Sequence, residues 1–411
     1  MRIPFKLPKQ KFIFASLFFI ISVFLLAVAI HMMTVNNTLG SDFATFWIGS
    51  KSAVYEGKSP YSQEVIRFSQ LFIYHRLALP TEDQVAFAYP LQAVFIIAPF
   101  SWMDIAWAQA FWMSLTIVTL ITALYIFVPS AKGSVRFTFL LFYPVIFGII
   151  LGNFAILFTS FILLFLYLIY LRKSPGKWTQ IICAILLSII IIKPQFAWGF
   201  FLLGFLVSLR HHYWAFLSTL VISTASQFIL TILWKPTWPA EWIEILKFYA
   251  IYNHTKPTLF IHLERYLPTS WVAPAGAVIF LFGLIILAWI ILAWWQGRVS
   301  QALLPAWVGF LTYLIHPHGL SYEQLTFFIP FLLWAVIQPA SKRMTINWFA
   351  SIILSWVLYF LTFFKVIPAA VNEYPFLFYI LWLAGFAALE WRHYHKNYPD
   401  LIPGRLRKIP V

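Results

Sequence analysis

One carboxylate stands where the first long apolar run of the chain ends, and it is the strongest candidate for chemistry. This residue, Asp42, lies in the segment 41–61, SDFATFWIGSKSAVYEGKSPY. Apolar and small residues follow it at spacings of three and four, namely Phe43, Phe46, Trp47, Ser50 and Val54. The spacing predicts an amphipathic helix that lies in the membrane interface. Asp42 is then either the cap of that helix or a working carboxylate that acts on a lipid substrate.

Polar residues interrupt the later apolar runs at a few places that are predicted to share one depth. They are the Gly152-Asn153 turn, the Lys193-Pro194-Gln195 break, the aromatic-rich segment 235–274 and the run His316-Pro317-His318-Gly319. Irregular backbone at membrane depth is tolerated where it lines a cavity inside the protein. The sequence therefore predicts one site, on the side of the membrane that also carries Asp42.

Each of these polar residues also has an ordinary structural explanation. Lys193 could extend its ammonium to the interface, as most lysines near helix ends do, and His318 could bond only to loop backbone. Glu323, just inside an apolar run, is expected to find a polar partner because an acid inside the membrane is costly. His316 and His318 have no acid or cysteine beside them, and Asp42 stands alone. No metal site is therefore predicted.

About twelve membrane-spanning helices are predicted to position these residues. The first runs from 12 to 33, and the others cover 105–128, 137–150, 153–171, 178–193, 195–209, 213–234, 274–295, 300–316, 320–338, 346–366 and 375–391. The run 89–102 is short and broken by two prolines, so it is either a re-entrant half-helix or a thirteenth, kinked span. The prediction is a single membrane domain, 1–411, with an external loop at 34–88 that holds interfacial helices and a cytoplasmic tail at 392–411.

Composition places the chain among membrane proteins. Of the 411 residues, 62% are hydrophobic and 10% are charged, and the mean hydropathy is +0.84. Such a chain cannot cover a water-soluble fold with polar residues, and long apolar runs in lipid must be helical, so the fold class is all-α. The net charge of +15 does not indicate nucleic acid. The predicted cytoplasmic segments hold 18 Lys and Arg against two acids, as the positive-inside rule requires.

The N-terminus and the cysteine count bear on two further questions, whether the first apolar run is a cleaved signal peptide and whether the chain can form a disulfide. Residues 1–30 resemble a signal peptide in having a basic start and the triplet Ala27-Val28-Ala29. The apolar run is long for a signal peptide, so an uncleaved first helix with a cytoplasmic N-terminus is the preferred interpretation. The single cysteine, Cys183, excludes an intrachain disulfide.

Several short motifs follow one another in a recognisable order. They are Asp42 with its small-residue helix, Gly57, Pro60-Tyr61, Tyr89-Pro90, Gly152-Asn153, Lys193-Pro194, Pro317-His318 and Tyr322-Glu323. In order and spacing, over about residues 12–340, the chain resembles the polyprenol-phosphate-mannose-dependent mannosyltransferases, a family of GT-C glycosyltransferases. Leu91, Asn153 and Glu323 stand where that family often has Pro, Gln and Asp, which affects the details of the sugar site more than the class.

The resemblance implies a GT-C fold and a polyprenyl-phosphate sugar as donor. Transfer from such a donor needs a base for the incoming hydroxyl, whereas the phosphate leaves as a stable anion without an acid. Asp42 is the expected base, and direct displacement would invert the anomeric carbon. The charge on the leaving phosphate needs cations or hydrogen-bond donors. The candidates are Lys193, His318 and Arg265, with Tyr89, Asn153 and Glu323 as further substrate-binding residues.

The predicted activity is the transfer of mannose or a related sugar to a lipid or glycan hydroxyl on the outer face of the cytoplasmic membrane. No cofactor is expected, and the absence of a nucleotide-binding loop disfavours a nucleotide sugar. Two alternatives remain. A flippase or transporter of a lipid-linked sugar would be expected to contain an inverted repeat, and none is visible. A catalytically inactive assembly subunit could share the fold.

Overall fold

The computed structural model describes residues 9–35, 40–80, 82–172, 174–252, 258–314, 321–337 and 342–366. These ranges are helical and contain no strand, which confirms the all-α class. The helices are α1 (Lys9–Thr34), α2 (Ser41–Tyr55), α3 (Gln63–Tyr74), α4 (Gln92–Ser101), α5 (Ile105–Phe127), α6 (Gly133–Thr138), α7 (Tyr143–Ile150), α8 (Phe154–Phe165), α9 (Lys177–Ile189), α10 (Pro194–His211), α11 (Trp214–Trp234), α12 (Trp238–Tyr252), α13 (Thr258–Tyr266), α14 (Thr269–Trp295), α15 (Leu303–Leu314), α16 (Leu325–Ile337) and α17 (Lys342–Phe363).

Five helices in the described ranges are long and apolar enough to cross a membrane. They are Ile13–Thr34, Ile105–Phe127, Trp214–Trp234, Thr269–Trp295 and Met344–Phe363. A sixth is obtained if the bent pair Gly133–Leu141 and Tyr143–Ile150 forms one span. The chain is thus a multi-pass membrane protein, and its described ranges contain fewer full-length spans than the twelve predicted. The predicted span 375–391 lies outside the described residues.

The difference arises because several predicted spans are short or broken helices. The predicted span 137–150 bends by 57° where α7 begins at Tyr143, with Pro144, which lacks an N–H, in its first turn. The run 89–102 contains only α4, whose ten residues extend about 15 Å, roughly half the bilayer core. Its length is that of a half-helix rather than a span.

The described residues form two compact units. One consists of residues 1–255 together with 321–325, and its described part contains α1 to α12. The other consists of 256–320 and 326–411, and its described part contains α13 to α15, α17 and α16 from its second residue onward. All the side-chain contacts of the candidate site described below lie within the first unit.

Helix α2 is more deeply enclosed than its sequence pattern indicates. Every residue from Phe43 to Ser50 is buried, so this helix does not rest on the interface with one face exposed. The small residues that look like a polar face allow close packing instead. A Cβ on Gly49 would lie 2.6 Å from the ring of Phe87, and Ser50 is fully buried. The amphipathic pattern is clearer in α3, which buries Val65, Ile66, Ser69 and Gln70.

Candidate active site

The first turn of α2 presents Asp42 at the edge of a buried core. The N-cap position is Gly40, without a side-chain cap, so Asp42 does not cap this helix. The amide of Gly40 donates to Gln109 Oε1 at 3.1 Å, and the amide of Phe43 donates to the Leu151 carbonyl at 3.2 Å. These two bonds hold the start of α2 against α5 and the turn after α7. The Asp42 residue is partly exposed.

The turn between α7 and α8 brings Asn153 to this carboxylate. Gly152 has φ +66°, and a Cβ there would lie 2.6 Å from the Cβ of Phe43, so only glycine fits. Its carbonyl accepts a bond from Trp112 Nε1 at 2.7 Å. Asn153 Nδ2 then donates to Asp42 Oδ2 at 2.7 Å. A residue 111 positions away in sequence thereby fixes the candidate base.

Lys193 reaches the same point from the break between α9 and α10. Its Nζ donates to Asn153 Oδ1 at 3.3 Å and to Glu323 Oε1 at 2.5 Å. The side chains of Lys193 and Glu323 are each only 2% exposed. Lys193 therefore does not extend to the interface, and Glu323 has the polar partner expected of a buried acid.

The contacts of Asn153 determine the orientation of its amide. Oδ1 also accepts the amide N–H of Ala155 at 2.9 Å, which caps α8. Because two donors meet Oδ1, the NH₂ group must face the acceptor, Asp42. Asn153 thus joins the candidate base, Asp42, to the ammonium of Lys193.

Two tyrosine rings flank the ammonium of Lys193. Its Nζ lies 5.8 Å from the ring centre of Tyr89 and 4.7 Å from that of Tyr322, both within cation–π range. Burial and the nearby charge of Asp42 raise the pKa of the Tyr89 hydroxyl well above its usual value, so it remains neutral. Tyr322 was not among the predicted site residues, although its position beside Glu323 was a usable signal.

The surroundings make Asp42 an unusually weak acid. Removal of the carboxylate from water raises its pKa from 3.8 to about 6. The hydrogen bond from Asn153 and the charge of Lys193 act in the opposite direction, whereas the charge of Asp83 raises the pKa further. A carboxylate with this pKa is largely ionised at neutral pH and is more basic than a solvated aspartate.

Three helices begin at this site. Asp42 lies in the first turn of α2, Asn153 caps α8, and Lys193 occupies the N-cap position of α10. The N-terminal end of a helix carries partial positive charge, so the arrangement favours anionic groups at this point.

Two further predicted residues, Arg265 and His318, stay predictions, because neither belongs to the described part of the first compact unit. Arg265 is exposed in the last turn of α13, in the second compact unit. His318 lies outside the described residues, as does His316. Within the described ranges, no group of three or more His, Cys, Asp or Glu residues could hold a metal ion.

Comparison with known proteins supplies the family. No curated protein and no solved structure is similar enough to this chain to count as a match. The family model described as "Glycosyltransferase family 87" matches residues 87–317, more than half of the 411 residues. The matched region contains Tyr89, Asn153 and Lys193, and the match confirms the glycosyltransferase class indicated by the order of the motifs. This membrane-embedded chain therefore belongs to glycosyltransferase family 87.

Proposed function

We propose that this glycosyltransferase is an inverting enzyme that moves mannose, or a related hexose, from a polyprenyl phosphate to a hydroxyl of a lipid or glycan. The observation that carries the proposal is the buried chain of contacts from Glu323 through Lys193 and Asn153 to Asp42. It provides one partly exposed carboxylate, with a pKa of about 6, beside a fixed cation.

The reaction needs no second catalytic carboxylate. Asp42 removes the proton from the acceptor hydroxyl while the hydroxyl oxygen forms a bond to the anomeric carbon. The bond from that carbon to the phosphate oxygen breaks on the opposite face, and the polyprenyl phosphate leaves with the electron pair. A β-linked donor then gives an α-linked product. The proton on Asp42 passes to water, which can reach this partly exposed residue.

The phosphate would be stabilised by several weak contributions rather than by Lys193 alone. The charge of Lys193 is already balanced by Glu323 at 2.5 Å, and Asp42 adds a further negative charge. The N-terminal ends of α2, α8 and α10 add positive potential without adding an ion. His318 and Arg265 remain proposed as additional donors to the phosphate.

A membrane-borne donor fits the surroundings of the site. The helices around it are apolar, and the sequence contains no glycine-rich loop of the kind that holds nucleotide phosphates. The distribution of Lys and Arg supports a cytoplasmic N-terminus, with the site on the external face of the cell membrane. A lipid-linked sugar and a lipid or glycan acceptor are therefore the proposed partners, without a metal or cofactor.

The experiment compares donors in proteoliposomes that contain the purified full-length chain. Radiolabelled polyprenyl-phosphate mannose and GDP-mannose are supplied separately with a mixed lipid and glycan acceptor extract, and covalent products are separated by chromatography. Product is expected with polyprenyl-phosphate mannose and not with GDP-mannose. The Asp42→Asn variant should form no product from either donor. Translocation of the lipid without any covalent product, or product from GDP-mannose alone, would overturn the proposal.

A further inference from the structure

Tyr89 is an aromatic residue that touches several parts of the candidate site. Its ring packs edge-on against the rings of Phe46 and Phe154, with 4.8 Å and 5.4 Å between ring centres. The centre of the Tyr89 ring lies 5.8 Å from Lys193 Nζ. Phe46 is one turn after Asp42 on α2, and Phe154 directly follows Asn153. A displacement of the Tyr89 ring would therefore disturb the packing beside both members of the Asp42–Asn153 hydrogen bond.

The backbone that carries Tyr89 has no regular structure to hold it. It lies in the irregular stretch between α3 and α4, directly before Pro90. Its carbonyl accepts the hydroxyl of Tyr61 at 2.9 Å, and the preceding carbonyl, of Ala88, accepts Nε1 of Trp242 at 3.1 Å. Two side chains from distant segments thus bind two successive carbonyls.

The segments that supply these donors are joined to each other. The Nζ of Lys235, after α11, donates to the carbonyls of Gly57 and Lys58, each at 3.0 Å. Ser59 is hydrogen-bonded to Glu241 in the first turn of α12. Residues 57–61 and the corner between α11 and α12 therefore form one connected support, which we call the loop clamp.

We propose that Tyr61 and Trp242 are positioning residues for sugar transfer, because through the loop clamp they fix the Tyr89 ring beside Lys193 and Asn153. The inference rests on the proposed function and extends it to Trp242, which lies 154 positions after the carbonyl that it binds. Neither residue touches the reacting atoms, and their effect on the reaction passes through Tyr89.

A double-mutant cycle tests this route. Trp242→Phe removes the indole donor but keeps an aromatic ring. The loss of one such hydrogen bond, about 1 kcal/mol, corresponds to about a fivefold change, so kcat for transfer should fall about five- to tenfold. In a Tyr89→Ala background, the same change should lower kcat further by less than about twofold, because the ring that it positions is gone.

Controls separate positioning from general instability. Trp178→Phe, at a side chain that is 75% exposed in the first turn of α9, should retain wild-type kcat. Tyr61→Phe removes only a hydroxyl and serves as the second variant if Trp242→Phe does not fold. The inference would be overturned if Trp242→Phe lowered kcat by the same factor in the Tyr89→Ala background as in the wild type. A Trp242→Phe enzyme with wild-type kcat would also overturn it. A fully active Tyr89→Ala enzyme would likewise overturn the inference. If the Asp42→Asn variant still loses transfer in that case, the proposed function stands although the inference fails.

Discussion

Replacement of Asp42 by asparagine should remove transfer without weakening the fold. Burial raises the pKa of this carboxyl from 3.8 to about 6, so the folded protein carries the ionised form at a cost. The difference between these values corresponds to at most about 3 kcal/mol. Because the residue is partly exposed, screening by water reduces this to about 1 to 2 kcal/mol.

The sign of the pH dependence follows from the same shift. The folded protein binds a proton at Asp42 more tightly than the unfolded chain does, so this group favours folding below about pH 4. That contribution to the free energy of unfolding is lost as the pH rises from about 4 to about 6. Above pH 6 the wild type is therefore destabilised by its ionised carboxylate. Asparagine is neutral, and its side-chain oxygen can still accept the bond from Asn153 Nδ2. Asp42→Asn should therefore be equally stable or more stable at pH 7.

Thermal unfolding of the purified wild type and Asp42→Asn, in one detergent at pH 4 and pH 7, measures this effect. The variant is expected to melt close to the wild type at pH 4 and at an equal or higher temperature at pH 7. Asp104→Asn, at the exposed start of α5, is the matched control because asparagine can still cap that helix. An Asp42→Asn protein that melts several degrees below the wild type at pH 7 would contradict the conclusion that Asp42 is held ionised at a cost.

Three further predictions concern the same cluster. The rate of transfer by the wild type should fall about tenfold per pH unit below about pH 6, because Asp42 becomes protonated, and should level off above pH 7. A rate that does not change between pH 4.5 and 7 would contradict this. Asn153→Asp removes the donor to Asp42 and adds a like charge, so transfer at pH 7 should fall by about 100-fold or more and the acidic limb of the pH profile should move upward. Lys193→Met leaves Glu323 without its ammonium partner and should cost about 3–5 kcal/mol of stability, measured by thermal unfolding. Adding Glu323→Gln should restore most of that stability while transfer remains lost, and an equally unstable double variant would show that the pair does not act as a unit.

The meeting of the principal candidate residues could be predicted because each marks a break in an apolar run. Gly152 allows the turn before Asn153, and Pro194 begins a helix directly after Lys193, so both polar side chains lie at helix starts. The membrane sets the depth of such breaks, which is why residues far apart in sequence could be expected to meet. The structure brings Asp42, Asn153, Lys193 and Glu323 together as that reasoning requires.

Other features depend on tertiary packing that a sequence pattern does not contain. The spacing of apolar residues in α2 predicts one exposed face, but small residues such as Gly49 admit a neighbouring ring and the helix becomes enclosed. Likewise, an apolar run can be continuous in composition and still be divided into two short helices, as happens just before Pro144. The pairing of Lys193 with Glu323, 130 positions apart, could not be read from either residue alone.

The most direct test of the proposed mechanism is the initial rate of sugar transfer by Asp42→Asn relative to the wild type. Both proteins are reconstituted in equal amounts and saturated with a labelled polyprenyl-phosphate sugar and acceptor at pH 7.5. Loss of a general base lowers a rate by about 10²–10⁴-fold, and a decrease in this range is expected with the protein still folded. A variant that transfers sugar within tenfold of the wild-type rate would contradict the assignment of Asp42 as the base.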